Sequence, residues 1–240
     1  MKRLMIAALV TAVSAASAYA QTIRMGTEGA YEPYNFINDK GEIDGFEREL
    51  GDKLCEIAGY ECTWVKNDWD TIIPNLLSGN YDTIMAGMSI TAERDKVIDF
   101  TQDYYPPTES AYVAAADGVD LKGGVISAQT ATIQAGFIAE SGATLVEFAT
   151  PEETIAAVRN GEADAVFADY DYLAPIVAES NGELMFVGPR VPLGGGVGMG
   201  LRESDKDLRD KFDAQITAMK ADGSLNALLK KWFGDEVATY

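Results

Sequence analysis

Residues 62–88 read CTWVKNDWDTIIPNLLSGNYDTIMAGM, and the pattern of apolar residues changes twice along this stretch. Residues 62–65 and 82–88 form short runs of the residue types that favour strands. Between them, residues 72–77 carry apolar side chains at helical spacing, and Asp70 is the predicted N-cap of this helix. A strand, a helix and a second strand in this order predict a sheet that is covered by helices.

The same alternation continues on both sides of this stretch. Upstream, residues 23–27 predict a strand, and Asp44 is the predicted N-cap of a helix with Glu47 as its capping-box partner. Downstream, Thr91 is the predicted cap of a short third helix. A second series of elements starts after Ala111, and it comprises predicted strands at 112–114, 124–127, 145–148 and 165–168 and predicted helices at 132–139, 150–161 and 170–179.

A glycine-rich stretch at residues 194–200 follows the second series, and two further helices come after it. If these helices pack back on the first series, the chain crosses twice between two units. The sequence therefore predicts an α/β protein with a first lobe at 21–110, a second lobe at 111–193, and a return to the first lobe at 194–240.

The first twenty residues have the pattern of a secretory signal peptide. Lys2 and Arg3 form a basic start, an apolar run follows, and Ala18-Tyr19-Ala20 is a small-x-small cleavage site. The apolar run is short for a membrane span, and no later stretch is long and apolar enough to be one. We expect cleavage after Ala20 and an exported, soluble mature chain.

Charge and composition exclude several classes of function. Removing the two basic residues of the signal peptide takes the formal net charge from −19 to −21. A chain this acidic repels phosphate backbones and anionic lipids, so we expect neither nucleic-acid nor membrane-surface partners. The chain has no histidine, which excludes His-based catalytic triads and His-ligated zinc sites. We expect no cofactor and no metal.

The two cysteines, Cys55 and Cys62, are close in sequence. In an exported chain, such a pair suggests a disulfide between a helix and the next strand. In the chain-entropy model, a disulfide that closes so short a loop stabilises the folded protein by roughly 2–3 kcal/mol. We favour this structural role over a catalytic one.

Three strand ends carry candidate binding residues, because ligands of open α/β sheets bind outside the carboxyl ends of the strands. Glu28 and Tyr31 follow the first strand, although a solvated loop with one packed aromatic residue is also compatible. Gly87 permits a close approach to the backbone, and Ser89 can donate a hydrogen bond. Arg94 lies near a helix start, where its charge opposes the helix dipole, so its presence there suggests a carboxylate ligand.

The third strand end is Asp169. If Asp169 faces Arg94 across a cleft, the pair can hold an amino-acid zwitterion, and Thr132 at the start of a helix can add a hydroxyl. The structural alternatives are an Arg94 that pairs with Glu93 or Asp99 and an Asp169 that only caps the next helix.

Several long motifs occur in order along almost the whole mature chain, among them GTEGAYEPYNF, YDTIMAGMSITAERDKVIDFT and GEADAVFAD. On these motifs the chain resembles the bacterial extracellular solute-binding proteins of family 3, which bind polar amino acids for ABC importers. The resemblance implies the two-lobe, type II periplasmic-binding-protein fold, with a sheet flanked by helices in each lobe and two crossover strands as the hinge. It is strongest to lysine/arginine/ornithine and histidine binders, which share the short disulfide.

The resemblance also implies a role for each candidate residue. Arg94 would hold the α-carboxylate with help from Thr132. Asp169 and Ser89 would hold the α-ammonium, and Gly87 would offer its backbone. Glu28 would face the distal cation of the ligand. The aliphatic stem of the ligand would lie between the rings of Tyr31 and Trp69.

Some positions depart from the family pattern. Ala86 and Gly87 stand where similar binders have serines, and Glu28 stands where they have aspartate. Residues 129–132 read QTAT instead of the more usual glycine-threonine-threonine. These changes leave the choice of ligand open among arginine, lysine, ornithine, histidine and an opine with a guanidinium end.

We therefore predict a monomeric binding protein that closes on its ligand and then docks on a membrane ABC permease. The hinge is expected near Ala111–Val113 and Val191–Gly198. An exported dehydratase acting on prephenate-like acids is the enzymatic alternative, but Glu28 is the single obvious general acid and no acid–base pair accompanies it. A binder that serves a chemosensory receptor is a further alternative.

Overall fold

The computed structural model describes residues 21–240, so the predicted signal peptide lies outside the described residues. The strands are β1 (Thr22–Thr27), β2 (Ala30–Tyr31), β3 (Asn35–Ile37), β4 (Ile43–Asp44), β5 (Glu61–Lys66), β6 (Thr83–Ile84), β7 (Asp99–Tyr105), β8 (Glu109–Ala114), β9 (Val125–Gln129), β10 (Thr144–Phe148), β11 (Ala165–Asp169), β12 (Met185–Pro192) and β13 (Val197–Leu201). The helices are α1 (Phe46–Ala58), α2 (Ile72–Leu77), α3 (Ile133–Ser141), α4 (Pro151–Arg159), α5 (Tyr170–Glu179), α6 (Lys206–Asp222) and α7 (Ser224–Phe233). Within residues 21–240, we find no helix with the length and apolar character that a membrane crossing requires.

These elements form two lobes, each built on a five-stranded sheet. The first lobe has the strand order β5-β1-β6-β13-β7, and the second lobe has the order β10-β9-β11-β8-β12. In each sheet four strands run in the same direction, and the fourth strand in the order, β13 in the first sheet and β8 in the second, runs opposite to them. Helices α1, α2, α6 and α7 accompany the first sheet, and α3, α4 and α5 pack on the second. The predicted α/β, two-lobe fold is confirmed.

The chain passes between the lobes twice. It leaves the first sheet after Tyr105 and joins the second at Glu109, a few residues before the expected first crossing. Pro106 and Pro107 occupy this link, and since proline cannot donate to a sheet ladder, strand β7 ends there. The second crossing joins Pro192 to Val197.

Helix α1 shows how the sequence pattern produces the packing of the first lobe. Phe46, Leu50 and Leu54 recur every four residues on one face, and all three side chains are fully buried. Each contributes about 1.5–3 kcal/mol by leaving water. Cys55 of this helix is bonded to Cys62 of β5, which confirms the predicted disulfide.

The predicted ends of several elements were wrong. The N-cap of α1 is Gly45 instead of Asp44, no side chain caps this helix, and Glu47 points into the core. Gly45 has φ 120°, and a Cβ there would lie 2.5 Å from the carbonyl oxygen of Tyr34, so glycine is required at this position. Packing between distant segments therefore determines the start of α1, and the predicted capping box does not form.

The second predicted cap, Asp70, was also wrong, because it lies inside a 3-10 turn at Trp69–Thr71 that precedes α2. The predicted strand at 82–88 is ordered as a strand only at Thr83–Ile84. The helix after Thr91 is reduced to a 3-10 turn at Arg94–Lys96. In contrast, Thr150 forms the predicted capping box of α4 with Glu153.

Candidate functional site

The carboxyl ends of strands from both lobes meet around one cavity. Strand ends supply Glu28 after β1, Gly87 after β6, and Asp169 at the end of β11. The structure brings together all of the binding residues predicted from the sequence, which are Glu28, Tyr31, Trp69, Gly87, Ser89, Arg94, Thr132 and Asp169. Four other residues share the wall of the cavity, namely Ala86, Gln129, Ile133 and Gln134.

Arg94 lies on the first lobe with its guanidinium free of acidic partners. Its Nη1 donates to the carbonyl oxygen of Ser89 at 2.8 Å, and its Nη2 reaches the carbonyl of Ala131 in the second lobe at 3.5 Å. Among the described residues, no carboxylate lies within 4.0 Å of Arg94, and Asp99 pairs with Arg209 instead. The structural alternative for Arg94 was therefore wrong. Burial lowers the pKa of Arg94 to about 10, so the group stays charged at neutral pH.

Two further contacts fix the position of Arg94. Its backbone N–H donates to Thr91 Oγ1 at 3.1 Å. The 3-10 turn has Glu93 as its N-cap and no side-chain cap, so the prediction that Thr91 caps a helix was wrong. The guanidinium lies 5.2 Å from the centre of the Trp69 ring, close enough for a cation–π contact. The result is a fixed cation that forms no ion pair with a described residue, which suits an anionic group of a ligand.

Asp169 supplies the opposite charge from the second lobe. It accepts hydrogen bonds from Tyr31 Oη at 2.8 Å and from Gln134 Nε2 at 2.8 Å. Although Asp169 precedes helix α5, its side chain does not cap that helix, so the capping alternative was wrong. Burial raises the pKa of Asp169 to about 6, and the negative Asp171 adds to the rise, while the Tyr31 hydrogen bond and Arg94 oppose it.

Glu28 is a second carboxylate in the cavity, and it is 4% exposed. It accepts a hydrogen bond of 2.6 Å from Gln129 Nε2 and forms no ion pair with a described residue. Burial raises the pKa of Glu28 to about 7, with smaller contributions from the negative Glu152 and Asp68. A buried carboxylate without a cation is costly unless a ligand supplies one.

The aromatic residues of the cavity are partly engaged by the protein itself. Tyr31 stacks on Tyr172 of the second lobe, with ring centres 4.1 Å apart and planes tilted by 10°. Tyr31 also lies close to Gly87, where a Cβ would be 3.5 Å from the Tyr31 ring. Trp69 faces Arg94, so the expected stacking of Tyr31 and Trp69 on a ligand stem stays a prediction.

Thr132 and Ser89 also make contacts within the protein. The Thr132 hydroxyl donates to the carbonyl of Gln129 at 2.6 Å and accepts from the N–H of Ala135 at 3.1 Å, which makes it the N-cap of α3. The carbonyl of Ser89 accepts from Arg94, as described above, and Ser89 pairs with Val197 in an isolated bridge. The hydroxyl of Thr132 thus shapes the helix end that borders the cavity.

Gln129 and Gln134 were missed as site residues. Both are buried, and each donates to one of the two cavity carboxylates. The signal available in the sequence was weak: Gln129 follows an apolar strand, and Gln134 interrupts the apolar start of a helix. Because Gln129 bonds to Glu28 and Tyr31 bonds to Asp169, the lobes of this structure are in contact across the cavity.

Comparison with known proteins places this fold and cavity in a family. Residues 23–235 match the model of the bacterial extracellular solute-binding proteins, family 3, and the chain belongs to this family. An L-arginine-binding protein of Pseudomonas aeruginosa is 32% identical, over 99% of this chain and 98% of its own. A histidine-binding periplasmic protein of Escherichia coli K12 is also 32% identical, over 97% of this chain and 95% of its own.

A solved structure is much more similar in sequence. It is a periplasmic His/Glu/Gln/Arg/opine family-binding protein from Silicibacter pomeroyi in complex with lysine, and it is 78% identical with a TM-score of 0.90. The match covers 91% of this chain and 100% of that chain. The relatives are amino-acid-binding proteins, which agrees with the charged groups around the cavity.

Proposed function

We propose that this chain binds a basic amino acid, with lysine, arginine, ornithine and histidine as the candidates, in the cavity between the lobes. The observation that carries the proposal is the set of three charges that share the cavity without a partner of opposite sign in contact. Arg94 matches an α-carboxylate, Asp169 an α-ammonium and Glu28 a distal cation. The site then carries one net negative charge and the ligand one net positive charge.

The ligand would also close the lobes. Arg94 and Glu28 belong to the first lobe and Asp169 to the second, so a zwitterion contacts both only when the lobes meet. A shift from mostly open to mostly closed needs about 5 kcal/mol of preference. Three charge-assisted hydrogen bonds of roughly 1.5–3 kcal/mol each can supply this preference. The closed form would deliver the ligand to a membrane ABC permease in the periplasm, after cleavage of the signal peptide.

The family membership and the arginine-, histidine- and lysine-binding relatives support a transport role. The dehydratase alternative is less well supported, because its prephenate-like substrates are anions and the two carboxylates Glu28 and Asp169 would oppose them. An opine with a guanidinium end is compatible with the same charges. Recovery of unchanged prephenate after incubation with the protein would exclude the enzymatic alternative.

Titration calorimetry with a panel of free amino acids tests the proposal. We expect lysine, arginine or ornithine to bind at least about 100-fold more tightly than norleucine or glutamate, because a charged pair across a buried contact is worth about 3 kcal/mol. The protein should first be unfolded and refolded to remove any bound solute. Tighter binding of glutamate than of arginine would contradict the role proposed for Glu28.

Proton release provides a second test of the charge assignment. The pKa of Glu28 is about 7 and that of Asp169 about 6 because both are buried, and the ligand's ammonium groups should lower both values. Lysine binding near pH 6.5 is therefore expected to release protons, and affinity should fall as the pH drops from 7 to 5. Calorimetry in two buffers of different ionisation enthalpy measures the protons released.

The sign is opposite for the closed protein without ligand. Because burial raises the pKa of Glu28 above its ordinary value, the contribution of this carboxyl group to the stability of the ligand-free protein is present at low pH and is lost as the pH rises through about 7. Binding that takes up protons, or none at all near pH 6.5, would contradict the pairing of these carboxylates with ammonium groups.

A further inference from the structure

Glu47 is a fully buried carboxylate that neither lines the cavity nor caps α1, so its role has to be found elsewhere. Its side chain has no exposed surface. Among the described residues, no lysine or arginine nitrogen lies within 4.0 Å of it. A buried polar group is costly without partners, so its hydrogen bonds indicate what the group is for.

Glu47 accepts three hydrogen bonds from three different segments. Its Oε1 accepts from the N–H of Gly87 at 2.7 Å and also from Tyr104 Oη. Its Oε2 accepts from Asn35 Nδ2 at 2.7 Å. Asn35 is itself fully buried, and its Oδ1 accepts from the N–H of Gly29 at 2.7 Å. Two branches of one carboxylate thus end on the backbone of Gly87 and Gly29.

These two glycines sit where the cavity wall leaves the first sheet. Gly29 directly follows Glu28, and Gly87 lies two residues before Ser89, whose carbonyl holds Arg94. Both glycines have positive φ, 71° and 62°, and therefore mark the turns by which the loops leave β1 and β6. The residues that carry the first lobe's charges depend on these turns.

We infer that Glu47 is a positioning residue for the binding site: through Gly87 directly, and through Asn35 to Gly29, it sets the spacing of the two first-lobe loops that line the cavity. The inference goes beyond the proposed function, on which it rests only for the identity of the ligand. Glu47 does not line the cavity, so it acts on the ligand through these loops alone.

The need for an acceptor on both oxygens explains why a carboxylate suits this position. In Glu47→Gln, one oxygen is replaced by an NH2 group, which can only donate. If NH2 faces Gly87, two donors meet there. If it faces Asn35, the Asn35 amide can rotate to accept, but its NH2 then meets the N–H of Gly29. Either orientation leaves one loop amide without its acceptor.

Burial raises the pKa of Glu47, whereas the hydrogen bonds from Tyr104, Gly87 and Asn35 oppose that rise.

The matched control follows from the same three bonds. Tyr104→Phe removes a donor to Glu47 Oε1 but leaves the bonds to Gly87 and Asn35 in place. This substitution should therefore lower the stability of the protein without moving the loops. If Glu47 acts only as a general core residue, Tyr104→Phe should instead disturb the site as much as Glu47→Gln does.

The test compares Glu47→Gln, Asn35→Ala and Tyr104→Phe with the unchanged protein, using L-lysine as the probe. Leaving a buried amide without an acceptor should raise the lysine Kd about 10- to 100-fold in Glu47→Gln. Asn35→Ala should raise it by about 10-fold, and Tyr104→Phe should stay within about threefold. Amide hydrogen exchange, followed by NMR, should accelerate at Gly29 alone in Asn35→Ala and at Gly29 or Gly87 in Glu47→Gln.

Two outcomes would overturn the inference. One is a folded Glu47→Gln protein with an unchanged lysine Kd and protected amides at both glycines. The other is an equal loss of affinity in Tyr104→Phe, which would mean that any core defect has the same effect. If Glu47→Gln does not fold, Asn35→Ala decides the Gly29 branch. If the unchanged protein does not bind lysine, the proposed function fails, and the exchange rates still decide the positioning role.

Discussion

Arg94→Ala is expected to abolish most of the affinity for lysine, with a rise in Kd of at least about 100-fold. The guanidinium contacts carbonyl oxygens of both lobes, at Ser89 and Ala131, and no described carboxylate neutralises it. It is therefore the group in the cavity that is free to pair with an α-carboxylate. Removing the guanidinium would leave the α-carboxylate of the ligand buried without a cation. An uncompensated buried charge is the main cost of breaking a buried charged pair.

Arg94→Lys should recover only part of the loss. An ammonium group cannot reproduce the two parallel donors of guanidinium, nor its planar contact with Trp69. Arg190→Ala is the matched control, because Arg190 is an exposed second-lobe arginine that packs on Tyr170, outside the cavity. It removes the same charge and should leave the Kd within about twofold. Unchanged lysine affinity in Arg94→Ala would refute the carboxylate assignment.

The fold was predictable because its signals are local. Apolar residues at strand and helix spacing mark the elements of both lobes, and the capping box at Thr150 has the form that the sequence suggests. The shortened third strand is an informative exception. Its predicted range ran to Met88, but the backbone leaves the sheet after Ile84 and turns at Gly87, with φ 62°, to form the cavity wall. The strand prediction was therefore wrong at the residues that form the cavity wall.

The misassigned Glu47 has the same physical origin. Its position three residues after Asp44 fits a capping box, which is a rule about neighbours along one helix. In the structure, its carboxylate instead bonds to Gly87, 40 residues away, and to Tyr104, 57 residues away. No pattern within a single helix contains those partners, and burial of the side chain decides between the two arrangements.

The composition of the cavity was predictable to the extent that each residue follows a strand end. Glu28, Gly87 and Asp169 were found by that rule, and the structure gathers them with the others around one cavity. The rule cannot tell which neighbours bond to them. Gln129 reaches Glu28 across 101 residues, and the contact exists only because two lobes meet. Partnerships of this kind depend on the relative placement of lobes, which local patterns do not encode.

Glu28→Gln is expected to change the preference of the site from charged to neutral side chains. In this variant the ligand's distal ammonium would be buried opposite an amide, so lysine affinity should fall by about 100-fold. The Gln129 amide can still donate to the remaining oxygen, so the cavity should keep its shape. Norleucine, which has the same stem without the ammonium, should bind better to the variant than to the unchanged protein at pH 8.

The size of that gain follows from the pKa of Glu28. Since burial sets the pKa near 7, protonating Glu28 to accept an uncharged stem costs about tenfold in affinity at pH 8, and Glu28→Gln removes this cost. The norleucine gain should therefore shrink as the pH falls towards 6. Glu152→Gln is the control, because Glu152 lies at the start of α4 and acts on Glu28 only through its charge. Equal effects of the two substitutions on lysine binding would mean that long-range charge, and not contact with Glu28, sets the preference for a cation.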